Sequence, residues 1–449
     1  MEAERNSPIA GDDAFAGPAS AFDSHHPPSA DLINQCVHCG FCLPACPTYV
    51  LWGQESDSPR GRIYLTKMAS EGSAAITPEW VKHFDTCLGC MSCMTACPSG
   101  VDYGKLIEAT RSQIERLHKR SFLDRLYRRI LFGVLPRPDR LRLLRGFLVL
   151  YQRAGLQTLA RKSGILRLFP SRLRSMEALS PKLGRRYETP EVSAAVPPQR
   201  ARVGLLLGCV QREFLSDVNH ATIQVLAAEG CEVVAPPGQP CCGALLLHAG
   251  EEDRAAELAK RIIDVFEAAN VDVVITNAGG CGSCVKEYAY LLRDTEYADR
   301  AKAFSAKCRD VTEFLDEIGP RAVRHPLSLR VAYHDSCHLQ HAQRVCTQPR
   351  SQLAAIPGLE LLEIPEGATC CGSAGIYNLV QPETADALGD RKAQLIAPLK
   401  ADVIVTGNPG CILQMRAALA RRGQKTPVHH TVQLLDASIR NIPPIAGAD

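Results

Sequence analysis

Cys36-Val-His-Cys39-Gly-Phe-Cys42-Leu-Pro-Ala-Cys46-Pro47 and Cys87-Leu-Gly-Cys90-Met-Ser-Cys93-Met-Thr-Ala-Cys97-Pro98 decide how the N-terminal part of this 449-residue chain folds. Both have the spacing C-x2-C-x2-C-x3-C-P, which sets thiolates around [4Fe-4S] cubes. Three thiolates two residues apart let a tight loop curl around one cube, and the fourth is carried on by the next helical turn to the other cube. The spacing therefore assigns Cys36, Cys39, Cys42 and Cys97 to one cluster, and Cys87, Cys90, Cys93 and Cys46 to the other. Pro47 and Pro98 have no backbone N–H and suit a chain leaving its cluster in a fixed direction. A pair of structural zinc sites is the alternative, since zinc also takes C-x2-C pairs. Zinc leaves the third evenly spaced cysteine and the repeated proline unexplained.

Working outward, residues 31–110 form a two-cluster module and residues 1–30 a disordered leader rich in Asp, Ser, Pro and His. The leader has no basic start and no apolar run, so it is not a secretory signal, and its His25 and His26 are given no role. No stretch approaches the roughly 18 apolar residues needed to cross a bilayer. Twenty cysteines in clustered motifs of a long chain are unlike the short secreted disulfide scaffold, and point to a reducing, cytoplasmic location. Asp57-Ser58-Pro59-Arg60-Gly61-Arg62 reads as a helix start, with a capping Asp or Ser and Pro at the first helical position. With helices on both sides, the module is expected to be helical. Arg60 and Arg62 either sit near a cluster, favouring its reduced form, or face water.

Residues 111–186 are of another kind. They hold 20 Lys and Arg against 4 Asp and Glu, a balance of +16, while the whole chain is only +3. Leu and Phe recur between the arginines, as in Leu126-Tyr127-Arg128-Arg129-Ile130-Leu131-Phe132, so basic amphipathic helices are expected. Such helices lie on an anionic membrane surface, dock on an acidic partner, or simply connect. No base-reading motif accompanies the charge, which argues against nucleic acid. With the linker at 187–200, this connector spans 111–200.

Beyond it the chain repeats. Arg202-Val-Gly-Leu-Leu-Leu-Gly-Cys209 matches Arg330-Val-Ala-Tyr-His-Asp-Ser-Cys337, Cys241-Cys242-Gly243 matches Cys370-Cys371-Gly372, and Val274-Ile-Thr-Asn-Ala-Gly-Gly-Cys281 matches Ile404-Val-Thr-Gly-Asn-Pro-Gly-Cys411. Regular offsets of 128, 129 and 130 residues make 201–327 and 328–442 two copies of one domain. Each reads as strand and helix in alternation: helices at 219–229, 251–269, 339–354 and 382–397, strands at 231–235, 271–276, 360–364 and 402–407. That pattern implies a parallel, helix-covered sheet with its site beyond the carboxyl ends of the strands.

The first copy offers Cys209, Cys241, Cys242, Cys281 and Cys284. Adjacent cysteines can bind two irons of an opened cluster, and Gly243 lets the backbone turn close to the metal. The second copy offers Cys337, Cys370, Cys371 and Cys411, with Gln414 where the fifth cysteine would stand, so it binds a smaller or differently ligated centre, or none. His334, His338 and His341 flank Cys337. Imidazole can replace thiolate on iron, but the preferred reading is a hydrogen bond to a neighbouring ligand. Cys231, Cys308 and Cys346 have no counterparts and read as small buried apolar residues.

The fold class is thus multidomain: an N-terminal α-helical ferredoxin-like domain followed by two repeated α/β, parallel-sheet, cysteine-rich domains. With these residues in hand, the chain resembles the iron–sulfur subunit of bacterial glycolate oxidase from about residue 30 to 440. The resemblance lies in Val37-His38-Cys39-Gly40-Phe41-Cys42, Ser58-Pro-Arg-Gly-Arg-Ile-Tyr-Leu65, Cys97-Pro-Ser-Gly100, Val285-Lys286-Glu287-Tyr288 after Cys281-Gly, and Cys370-Cys-Gly-Ser-Ala-Gly-Ile-Tyr377. The Cys-Cys-Gly domains also resemble heterodisulfide reductase subunits, where a five-cysteine copy holds a noncubane [4Fe-4S] cluster. That implies a third cluster on the five thiols of the first copy. The resemblance further implies an FAD-containing partner that oxidises glycolate or another 2-hydroxy acid such as D-lactate. This chain would serve as the electron-transfer subunit of an oxidase or dehydrogenase complex, passing electrons to a membrane quinone, with peripheral contact at the inner face of the cell membrane. No catalytic residue of its own is expected, and no G-x-G-x-x-G follows a strand to bind FAD. The alternatives are a catalytic subunit of the heterodisulfide reductase type and the cluster subunit of anaerobic glycerol-3-phosphate dehydrogenase.

Overall fold

The computed structural model describes residues 19–444. Residues 31–117 hold helices and no strand: Ala30–Asn34, Pro47–Trp52, Pro59–Ser70, Pro78–Asp85, Ser92–Thr95 and Tyr103–Leu117. The helix at Pro59 starts as its sequence demands, with Ser58 Oγ accepting from Gly61 N (3.0 Å) and Pro59 at the first position. Ile63, Trp80, Phe84, Leu106, Ile107 and Ile114 bury one face of helices Pro59–Ser70, Pro78–Asp85 and Tyr103–Leu117 in a shared apolar core.

Residues 19–30, assigned by sequence to a disordered leader, are packed against that core. Phe22 is buried beside Trp80, Asp23 accepts from Arg116 and Gln113, and Ser29 caps the next helix. Part of the expected leader, 1–18, lies outside the described residues. The physical reason is plain: one aromatic among polar residues carries no periodicity, yet Phe22 packs against a helix distant in sequence.

The two copies each form one sheet. In the first, β1 (Val192–Ser193), β2 (Ala201–Leu206), β3 (Cys231–Val234), β4 (Val273–Thr276) and β5 (Cys308–Asp310) lie in the order β1-β3-β2-β4-β5. Only the β1 pairing is antiparallel. In the second, β6 (Leu329–Tyr333), β7 (Leu359–Glu363), β8 (Val403–Val405) and β9 (Val428–His429) lie in the order β7-β6-β8-β9, all parallel. Val203 pairs with Val233 and Val273 just as Val331 pairs with Leu361 and Val403, so the repeat extends to strand register. Helices Ser216–Ala228, Glu252–Ala268 and Pro382–Ile396 fall where the alternation places them; in the second copy the expected long helix is split into a π-turn, His338–Ala342, and Thr347–Ala354. The short strands β1, β5 and β9 add edges that the sequence pattern does not announce.

One apolar core runs through both copies, from Val203 and Leu226 to Leu353 and Leu435. Their loops also touch: Gly279 N donates to Gly407 O (3.0 Å) and Gly280 N to Asn408 Oδ1 (3.3 Å). The carboxyl ends of β2 and β4 therefore face those of β6 and β8.

Candidate functional site

The two ferredoxin-type loops sit on the helical module at different depths. In the first, Cys39 is exposed and Cys36 and Cys42 half-buried, with Val37 and Phe41 standing out into solvent. Cys36, Cys39, Cys42 and Cys97 line one small cavity, at whose wall Cys93 also stands. In the second, Cys87, Cys90 and Cys93 are buried together with Cys46. Burial pushes the Cys90 and Cys93 thiols well above their ordinary range. A cluster of buried thiols suits metal, which displaces the protons that burial would otherwise retain.

Both arginines of the Pro59 helix lie at the loops. Arg60 Nη1 donates to the His38 carbonyl (2.9 Å) while the side chain pairs with Glu55. Arg62 is fully buried, donating to His83 O (2.6 Å) and Thr48 Oγ1 (3.2 Å), 3.5 Å from Asp57. Burial alone would raise the Cys87 thiol, but Arg62 and Arg111 together hold it below its ordinary value. Arg62 is thus a positive charge beside the inner loop, not a solvated face. Sequence spacing could not find Arg111, which donates from one guanidinium to Cys87 O and His248 O, 137 residues away from it.

In the first tandem copy Cys209 follows β2, Cys241 and Cys242 follow β3, and Cys281 and Cys284 follow β4, so three adjacent parallel strands converge on one point. Cys209 Sγ lies 3.5 Å from Cys241 Sγ. Gly243 and Gly372 hold φ of +87° and +91°, and each N–H donates to the first sulfur of its Cys-Cys pair, at 3.5 and 3.4 Å. A β-carbon on Gly372 would stand 2.5 Å from Ala385 O, so the turn requires glycine. In the second copy Cys337 Sγ is 3.9 Å from Cys370 Sγ, and Cys371 and Cys411 are buried beside them.

A cavity of about 520 Å³ joins the two copies. Cys209, Cys241, Cys242 and Cys281 line one side, Cys337, Cys370, Cys371 and Cys411 the other, and Leu144, Tyr151, Leu173 and Met176 of the basic segment close it. The helical module reaches the same place. Cys90 and Cys370 share one apolar cluster with Leu88 and Tyr377, and Tyr377 Oη donates to Thr86 O (2.9 Å). Of the unmatched cysteines, Cys231 and Cys308 are buried in strands, as expected, whereas Cys346 is half-exposed. His26, given no role by sequence, binds Glu252 (2.8 Å) and Asp294 (3.1 Å), tying the N-terminal segment to the first copy.

Known families divide the chain along the same lines. A 4Fe-4S dicluster domain matches residues 32–101, a cysteine-rich domain matches 203–286 and again 331–416, and the linker region of the glycolate oxidase iron–sulfur subunit matches 123–180. The "Probable glycolate oxidase iron-sulfur subunit" of Bacillus subtilis is 42% identical over 419 residues, 91% of this chain and 94% of that one. The chain belongs to the glycolate oxidase iron–sulfur subunit family. Another member of this family, from Escherichia coli, is 35% identical over 414 residues, again 91% and 94% of the two chains. Lactate utilization protein A of Geobacillus kaustophilus is 32% identical over 238 residues, 53% of this chain and 99% of its own length.

The linker region of this family member has a distinctive surface. Its helices Phe122–Val134, Pro138–Arg153, Leu156–Ser163 and Ser171–Ala178 bury few side chains, and Leu123, Ile130, Phe147, Leu150 and Leu168 are all more than half exposed. Arg120, Arg128 and Arg172 gather around Asp85, Glu115 and Asp124, while Arg142 and Arg186 approach Glu213. No helix among the described residues is long and apolar enough to cross a membrane.

Proposed function

We propose that this chain is the electron-transfer subunit of a flavin-dependent oxidase or dehydrogenase acting on glycolate, or on D-lactate. An FAD-containing partner subunit oxidises the hydroxy acid and hands its electrons to this chain, which passes them on to a membrane quinone. The observation that carries the reading is the graded depth of the cysteine groups. One loop opens at the surface, the next is buried behind it, and the buried loop abuts Cys370 at the edge of the tandem cavity.

In this reading Cys36, Cys39, Cys42 and Cys97 hold an outer [4Fe-4S] cluster where a partner docks, and Cys87, Cys90, Cys93 and Cys46 an inner one. Cys209, Cys241, Cys242, Cys281 and Cys284 hold a third, noncubane cluster. The clusters supply one-electron storage; the chain's own side chains supply position and charge. Arg62 favours the reduced, more negative state of the inner cluster. The exposed apolar residues set among arginines on the linker helices are the surface that meets an anionic membrane.

Anaerobic purification from cells grown on glycolate tests this. The chain is expected to co-purify with an FAD-containing protein and to be bleached on adding glycolate. Isolation free of any flavoprotein, with no bleaching, would overturn it.

A further inference from the structure

The two tandem copies differ at two positions that bear on one site. Gln414 stands where the first copy has Cys284, and His334 stands where the first copy has Leu206. Gln414 is fully engaged: its Nε2 donates to Ala385 O (2.9 Å) and its Oε1 accepts from Asn378 Nδ2 (3.1 Å). It is a packing group, not a ligand. His334 is the reverse. It is 1% exposed, neither ring nitrogen makes a hydrogen bond of ordinary geometry, and the polar group that acts on the ring is the Cys411 thiol.

The neighbouring histidines make the contrast sharp. His338 uses both nitrogens, on Ser283 Oγ (3.0 Å) and Gly89 O (2.8 Å), and His341 uses both, on Thr95 Oγ1 (2.8 Å) and Ala368 O (3.1 Å). A buried donor or acceptor left unpaired costs about 1–3 kcal/mol, so an imidazole with two such atoms needs a partner. The sulfurs of Cys371 and Cys411 stand ready: the ligand atoms of His334, Cys371 and Cys411 all lie within 4.8 Å of one another.

We propose that His334 is the fifth ligand of an iron–sulfur centre in the second copy, beside Cys337, Cys370, Cys371 and Cys411. The loss of the fifth cysteine at Gln414 is thereby made good from the end of β6. This rests on the reading above that the tandem copies hold iron–sulfur clusters. Iron is favoured over zinc because five donors exceed the four of a structural zinc site, and imidazole, a ligand of both metals, serves as a terminal ligand to cluster iron. Cys370 also shares its apolar cluster with Cys90 of the inner loop, so a redox-silent ion there would interrupt the path into the cavity. A neutral imidazole in place of an anionic thiolate leaves this centre one negative charge lighter than the first copy's, which raises its reduction potential relative to that cluster.

The test uses the full chain co-purified anaerobically with its flavoprotein partner. Iron and sulfide are counted, and pulsed EPR reads nitrogen coupling to the reduced centres. The wild type is expected to hold about 16 irons and to show a strong imidazole-type ¹⁴N coupling, and His334→Ala about 12 with the coupling lost. His334→Cys is expected to keep the iron and lose only the coupling, which separates ligation from a folding defect. A wild type with about 12 irons and no such coupling would overturn the proposal while leaving the reading of the first copy intact. One zinc per chain, lost in His334→Ala, would overturn the iron–sulfur assignment. About 8 irons would overturn the underlying reading and this inference together.

Discussion

Glu108 and His248 show how one buried pair can be neutral at both ends. Glu108 Oε1 and His248 Nδ1 are 2.8 Å apart, which looks like an ion pair. Burial pushes Glu108 up to about 8 and His248 down to about 4, so near neutrality the contact is a hydrogen bond between uncharged groups. Because the folded value of Glu108 exceeds its ordinary 4.5, its contribution to stability is present in acid and is lost as pH rises towards about 8. Glu108→Gln is therefore expected to gain thermal midpoint over the wild type between pH 5 and about 8, by up to a few kcal/mol in equivalent stability, and to hold that advantage above. Midpoints of both proteins across that range check the sign. At Arg62 the expectation is different in kind. Arg62→Gln leaves Asp57 with a buried charge less well compensated, and is expected to destabilise the module by about 3–5 kcal/mol. It should also move the cluster proposed at the inner loop to a more negative potential, read in an EPR-monitored redox titration.

At the scale of elements, local signals were strong and remote ones silent. The Ser58-Pro59 start, the parallel alternation and the Cys-Cys-Gly turns could all be read directly, because each depends on neighbours in sequence. Residues 19–30 could not, since Phe22 is held by Trp80 and Asp23 by Arg116, partners brought close only by the fold. The same limit explains the histidines near Cys337. Three within eight residues look alike in sequence, and only contacts from Gly89, Ser283, Thr95 and Ala368 tell the two satisfied ones from His334. The linker helices allow a prediction of their own. Replacing Leu123, Ile130 and Phe147 together by Ser removes exposed apolar area without touching the core, and is expected to lower binding to anionic vesicles at least tenfold, as read by co-sedimentation. High salt should weaken the wild type's binding as well.

Across the whole molecule, the repeat is what gives the cysteines their meaning. Two copies with matched register turn their strand ends towards each other, and the helical module closes the join through Tyr377–Thr86 and His338–Gly89. Sequence showed two domains of one kind; it did not show that they share a core and a cavity. On the proposed reading, that packing sets the route of electrons from the Cys39 loop towards Cys209. Cys90→Ser is accordingly expected to leave the outer cluster reducible by the flavoprotein while slowing reduction of the tandem centres, a split that freeze-quenched EPR would show. The position of Cys39 has one more consequence. Its sulfur is exposed at the tip of the outer loop, so on the proposed reading dioxygen and peroxide would meet the cluster held there before any other. Air should bleach the complex from the outside inwards, and a preparation left on the bench should lose its ability to take electrons well before it loses most of its iron.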